Sequence, residues 1–232
     1  MIDDRTEDVR VAVYRGFART GRPPGTSELA SATGLPPEQV RQALRRLHAS
    51  RDLVLGGDAT AEVDGERIVM AHPFASVPLG FSVMGERTLW WGGCAWDSFA
   101  IPHLLPEVPD VLVATRCPGC DSAHAWVVGR DAPPPGGQVA HFLVPVQRVW
   151  DDVVHSCANQ RLFCSVRCVD RWLEHAGERR GYVMDLATLW RLARGWYAGR
   201  LEFGYTRRDP SSAAAYFAEV GLRGPFWGLP DS

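Results

Sequence analysis

The chain has 232 residues and a mass of 25.6 kDa, enough for a buried core in one large domain or in a small module joined to a larger one. Its 46% apolar and 22% charged residues lie near the globular average, and no apolar run approaches the ~20 residues that a bilayer span requires. A formal charge of −2, with all 25 basic residues arginine, excludes wholesale electrostatic binding to nucleic acid or an anionic membrane surface.

The acidic N-terminus, MIDDRTEDVRVAVYR, has no basic start followed by an apolar stretch, so the sequence predicts no secretory signal and a cytoplasmic location. Val9, Val13 and Phe17 then recur at helical spacing, and the Arg-Pro-Pro-Gly segment at 22 to 25 breaks the chain. Ser27 is expected to cap a short helix through Ala32, and Gly34 to make a turn. From Pro36 or Pro37 a further helix carries Val40, Ala43, Leu44 and Leu47 at i, i+3, i+4 and i+7. Leu53 to Leu55 and Arg67 to Ala71 read as strands around an Asp64-Gly65 turn.

This order outlines a winged helix-turn-helix module over residues 1–75, with Arg41, Arg45 and Arg46 on the helix that would read DNA. Ten arginines against eleven acidic residues leave this stretch at −1, whereas a free-standing DNA reader is basic. A structural appendage is therefore the expected role. Residues 76–232 mix strands with helices. Val111 to Thr115, Ala125 to Val128 and Phe142 to Val146 are β-rich and separated by turns, including Pro-Pro-Pro-Gly-Gly at 133 to 137. Leu186, Leu189, Trp190, Ala193, Trp196 and Tyr197 form an apolar helical stripe expected to be core, and Asp209-Pro210 opens a helix that Gly221 closes. The expected class is α+β, with a winged-helix-like module packed on a mixed α/β core.

Six cysteines stand at 94, 117, 120, 157, 164 and 168. In a reducing compartment a disulfide framework is disfavoured, so metal binding, thiolate chemistry or burial must account for them. A helix starting near Gly93 puts Cys94 and Asp97 at i and i+3 on one face, a thiol beside a carboxylate near a helix N-terminus. The plain alternative is a buried free cysteine with a capping aspartate. Cys117-x2-Cys120 and Cys164-x3-Cys168, 43 residues apart, have the knuckle spacings of a structural zinc site. Cys157 is left over from that count, as Cys94 is, and becomes a candidate partner for Cys94. Among the other polar residues, Asp151-Asp152 is expected to cap the helix leading to Cys157, His103 to be a surface or satisfied histidine, and His72 and Phe74 to pack the link between the two parts.

Trp91-Gly92-Gly93-Cys94-Ala95-Trp96-Asp97, Ser156-Cys157 with Leu162-Phe163-Cys164-Ser165, and Met70-Ala71-His72-Pro73-Phe74-Ala75-Ser76-Val77-Pro78 resemble segments of the organomercurial (alkylmercury) lyases. The resemblance implies that Cys94 and Cys157 are the mercury-binding thiols, that Asp97 handles the proton, and that the N-terminal module covers the core in place of reading DNA. It implies cleavage of carbon–mercury bonds by protonolysis to hydrocarbon and Hg(II), in mercury detoxification. No cofactor is required for that reaction, although a structural zinc at Cys117, Cys120, Cys164 and Cys168 is compatible with it. The implied partners are an organomercurial substrate and a dithiol or mercuric-reductase-type acceptor of Hg(II), without nucleic acid or membrane. Mercury, a soft cation, prefers thiolate sulfur, and two converging cysteines raise the basicity of its carbon substituent toward a proton.

Three other readings stay open at the level of sequence. One is a zinc-stabilised winged-helix metal sensor or transcription regulator, which has no need of Asp97 beside Cys94. Another is a homologue acting on a different organometal. The last is a cysteine hydrolase or transferase with Cys94 as nucleophile and a histidine such as His155 as base.

Overall fold

The computed structural model describes residues 3–56 and 67–231; the expected Asp64-Gly65 turn lies outside them. Helix α1 (Asp4–Thr20) starts where the Asp3 carboxylate accepts from the Thr6 N–H at 2.8 Å and stops at Gly21, which takes the left-handed conformation at φ 71°. Helix α2 (Thr26–Thr33) begins two residues earlier than a Ser27 cap predicts. Its N-terminus is closed by the Glu28 carboxylate accepting from the Gly25 N–H at 2.7 Å, so Ser27 lies inside the first turn and caps nothing. Helix α3 (Pro37–Ala49) follows a turn at Gly34 and buries Val40, Ala43, Leu44 and Leu47, the predicted stripe, against Val9, Val13 and Phe17 of α1.

On α3, Arg41 and Arg45 both pair with Glu38, and Arg46 pairs with Asp3. The chain then forms β1 (Val54–Gly56), one residue later than the expected Leu53 to Leu55, and β2 (Arg67–Ala71), as expected, as an antiparallel pair. This pair does not end there. Strand β2 continues into β3 (Phe74–Ala75), β4 (Phe81–Met84), β5 (Leu89–Gly92), β6 (Asp110–Arg116) and β7 (Ala123–Gly129) as one antiparallel seven-stranded sheet in the order β1-β2-β3-β5-β4-β6-β7. The N-terminal segment is thus joined to the rest through main-chain hydrogen bonds as well as through packing.

Strand β6 shows why the sheet has two unlike faces: Val111, Val113 and Thr115 are buried while Asp110, Leu112 and Arg116 face outward. Against the inner face lies α4 (Ala95–Leu104), apolar almost all round and buried at every position but His103. The Arg130 guanidinium closes the end of this helix, donating to the carbonyl of Pro102 in its last turn and to those of Leu105 and Val108 just beyond it. A second sheet, β10-β8-β9, is built from β8 (Val139–Phe142), β9 (Gln160–Phe163) and β10 (Tyr182–Asp185), with α5 (Val153–Ala158) preceding β9 and α6 (Val166–Ala176) following it. The strand expected over Phe142 to Val146 ends at Phe142, because Pro145 has no N–H to continue a ladder and instead opens a single 3-10 turn at Val146–Arg148. Helix α7 (Leu186–Trp196) packs on α4, and α8 (Pro210–Glu219), capped by Asp209, packs Phe217 onto Trp196.

Helix α1 is held to the sheet in part by the parallel stacking of Phe17 on Phe74 of β3, with ring centroids 5.6 Å apart and both rings fully buried. Phe17→Ala is expected to lower the unfolding free energy by about 3–5 kcal/mol, seen as a lower urea midpoint at an unchanged slope. A loss below about 1 kcal/mol would show that the join is held elsewhere.

Candidate active site

Cys94 sits at the N-cap of α4, in extended backbone at φ −160°, and its sulfur accepts from the Asp97 N–H at 3.3 Å. The glycines before it are there for space. A Cβ on Gly92 would lie 2.0 Å from Ser98 Oγ, and one on Gly93 would lie 2.4 Å from Asp97 Oδ2 and 2.6 Å from Met70 Cε. Strand β5 can therefore run directly under the start of α4 only with glycine at both positions. Cys157 lies in the last turn of α5, whose first turn is capped by the Asp152 carboxylate accepting from the His155 N–H at 2.9 Å; Asp151 instead pairs with Arg148.

The fold brings Cys94, Asp97 and Cys157 into one cleft of about 450 Å³, within the ordinary range for small-molecule sites. The two thiols line the same cleft, and all three residues are at least 97% buried. Burial pushes the Cys94 thiol well above its ordinary pKa, and the neighbouring Cys157 and the Asp97 charge add to that shift. For Cys157 the hydrogen bond from Cys94 favours the thiolate, but burial and the Asp97 charge outweigh it and the pKa is raised. Both groups therefore rest as thiols.

Asp97 behaves in the opposite sense. Burial works against its ionisation, yet the charge His72 carries when protonated, together with hydrogen bonds from His72, Tyr197 and Cys94, holds the carboxyl below its usual range. Oδ2 lies 3.0 Å from His72 Nδ1, and Oδ1 accepts from the Tyr197 hydroxyl at 2.5 Å. His72 thus does more than pack the link. It sits at the end of β2, with the edge of its ring against Trp150 at 5.9 Å, and faces the carboxylate. Phe74 does pack the link. Tyr197, read from sequence as core, caps α7 and turns its hydroxyl into the cleft; the same burial and the Asp97 charge push its own pKa well above 10. Neither residue has a sequence signal beyond an X-Pro step and a helical stripe. Trp96, Trp150 and Trp196 give the cleft an apolar wall, and Arg200, Arg207 and Arg208 stand along it.

His103 is outside this cleft: it packs edge-on against Trp190 at 5.3 Å, and burial with Arg194 and Arg130 nearby lowers its pKa to about 4. His155 is exposed on α5 beside Asn159, so the base expected for a cysteine hydrolase is not presented to Cys94 by that residue. The remaining four cysteines gather elsewhere. The sulfurs of Cys117, Cys120, Cys164 and Cys168 all lie within 4.8 Å of one another, and none of the six cysteines is in a disulfide.

Removing the phenol oxygen from the carboxylate should raise the Asp97 pKa, because one of the donors that favours its ionised form is lost. In Tyr197→Phe, carbon-13 NMR of the Asp97 carboxyl is expected to report a pKa higher by about one unit than in the unaltered protein. An unchanged value would mean that Tyr197 does not hold the carboxylate.

The family model described as alkylmercury lyase matches residues 74–198, more than half of the chain. No curated protein matches the sequence. Among solved structures, the chain is similar to the crystal structure of the mercury-bound form of MerB2, with a TM-score of 0.62 at 18% identity, covering 87% of this chain and 93% of that one. At that identity the likeness is one of fold, and it agrees with the α+β class expected from sequence. No helix among the described residues is long and apolar enough to cross a membrane. By the extent of the family match, the chain belongs to the alkylmercury lyase family and is a carbon–mercury lyase.

Proposed function

We propose that carbon–mercury cleavage takes place in the cleft at the start of α4, with Cys94 and Cys157 as the mercury ligands and Asp97 as the proton carrier. The observation that carries this reading is the geometry: a buried carboxylate anchored by His72 and Tyr197 in one cleft with two buried thiols. An organomercurial cation arriving there meets two soft donors at one wall and aromatic rings at another, the latter suited to its organic substituent.

Each sulfur must lose its proton to bind mercury, and the Asp97 carboxylate, which the Cys94 thiol faces, is the base that takes it. The balance is simple: R–Hg⁺ and two thiols give R–H, a mercury held by two thiolates, and one proton to solvent. The carbon–mercury bond breaks with its electron pair on carbon, and that pair takes up the proton that Asp97 received from a thiol. No electron is gained or lost overall, so the step needs no redox partner. His72 and Tyr197 are positioning residues, which keep the carboxylate ionised until a thiol proton is released. Product Hg(II) on two thiolates leaves by exchange with an incoming dithiol, such as a small-molecule dithiol or a cysteine pair on a mercuric-reductase-type acceptor.

With the same thiol buffer throughout, phenylmercury turnover is read as benzene release beside Hg(II) affinity. Asp97→Asn is expected to keep Hg(II) binding largely intact while slowing benzene release by roughly 10² or more. Cys94→Ser is expected to abolish both, since an alcohol oxygen is a hard and poor ligand for mercury. Cys157→Ser is expected to weaken both. Full cleavage by the Asp97 variant would reduce that carboxylate to a helix cap and end the proposal.

A further inference from the structure

The four cysteines away from the cleft form a built site. Cys117 directly follows β6 and Cys120 lies in the turn into β7; Cys164 directly follows β9 and Cys168 is in the first turn of α6. A hairpin turn of the large sheet therefore meets the strand-to-helix junction of the small one at these sulfurs. The turn is shaped for it: the N–H groups of Cys120 and Asp121 both donate to the Cys117 carbonyl, and Asp121 takes φ 58° to bring the chain back. Gly119 allows the close approach, since a Cβ there would lie 2.2 Å from the Cys168 carbonyl oxygen, a backbone atom that cannot swing away.

Four sulfurs bound tetrahedrally at about 2.3 Å from one ion would stand about 3.8 Å apart, and these all fall within 4.8 Å of one another. Cys120 and Cys164 are 3.3 Å apart, too far for a disulfide bond and close enough to share a ligand. A backbone donor already points at one sulfur, as happens where thiolate charge must be offset, and an imidazole nitrogen lies beside another. The Cys164 N–H donates to Cys117 Sγ at 3.5 Å, and His124 Nε2 lies 3.2 Å from Cys164 Sγ. The surrounding apolar cluster is small and separate from the main core, built on Cys117, Phe163, Cys168, Val169 and Leu173. Burial on that scale is a weak clamp for a helix and a hairpin, and a structural metal supplies the missing free energy.

We propose that Cys117, Cys120, Cys164 and Cys168 hold one structural Zn²⁺ that clips the β6–β7 hairpin to the β9–α6 junction. The site is closed, with four protein ligands and no open position, so it takes no part in cleavage. Its consequence for the cleft is mechanical. Strand β9 carries the clip at its C-terminal end and follows the Cys157 helix at its N-terminal end, so the metal fixes the strand against which Cys157 is placed.

Full-length protein purified without chelator or metal-affinity resin, under a phosphine reductant, is assayed for zinc and iron by plasma mass spectrometry and for zinc–sulfur distances by X-ray absorption. The expected result is about one zinc per chain with four sulfurs near 2.3 Å. That zinc should persist in a Cys94→Ser, Cys157→Ser double variant, which separates this site from the mercury ligands, and should fall below about 0.2 equivalent in Cys120→Ser. If Cys120→Ser does not fold, the wild-type stoichiometry and spectrum decide alone. Less than about 0.2 zinc per wild-type chain, iron in its place, or zinc lost with Cys94 and Cys157 would each overturn the assignment.

Discussion

A carboxylate with 1% of its surface exposed is costly to keep ionised, because burial strips away the water that stabilises its charge. Asp97 meets that cost by engaging both oxygens, one with His72 from the end of β2 and the other with Tyr197 from the end of α7, a residue exactly one hundred positions along the chain. Its own N–H is turned onto the Cys94 sulfur. A charge that is held this way fixes much of what surrounds it. Gly93 has to be glycine so that the carboxylate has room, the end of α7 has to return to α4, and β2 has to deliver an imidazole rather than simply lead out of the N-terminal segment. The thiols are kept protonated chiefly by their own burial, and the same charge adds to that in the opposite sense.

The N-terminal helices take part in this through a second buried group. Arg200 lies just beyond Tyr197, is only 4% exposed, and stays charged, since the oxygens of Tyr14 and Tyr205 outweigh burial. It donates to the Tyr14 hydroxyl of α1 at 2.9 Å and lies over the rings of Tyr14, Tyr197 and Tyr205. Arg10, itself 1% exposed, is paired with Glu7 and donates to the carbonyls of Arg200 and Glu202, while Glu7 accepts from the Gly204 N–H. Helix α1 thus fastens the 200–205 segment that walls one side of the cleft. Removing either partner of such a pair strands a buried charge, a larger loss than the pair's own net contribution. Helix α1 braces a wall of the cleft without lining it, and the arginines of α3 that suggested a nucleic-acid face are engaged with Glu38 and Asp3.

The parts legible in the sequence were those governed by local rules. Periodicity located α1, α3 and α7; the i, i+3 relation of Cys94 and Asp97 needed only a helix between them; and Asp152 and Asp209 capped where short-range hydrogen bonding places such residues. Cysteine arithmetic separated two thiols from four, and the folded chain keeps that division. What stayed hidden was contact across long separations. His72 looked like part of a linker and Tyr197 like core, because nothing near either residue announces a carboxylate supplied by another element. The Ser27 cap failed because a glutamate one residue on competes for the same helix end, and the Phe142 to Val146 strand was cut short by a proline whose effect on the ladder outweighed the β-propensity around it.

The most direct test of this account is where mercury comes to rest. Crystals of the unaltered chain treated with one equivalent of phenylmercury would be examined by anomalous scattering at the mercury edge. The account predicts a single dominant peak bridging Cys94 Sγ and Cys157 Sγ beside the Asp97 carboxylate, with no phenyl density attached. Mercury settling instead among Cys117, Cys120, Cys164 and Cys168, or bound to one of the cleft thiols with its phenyl group still in place after long exposure, would contradict it.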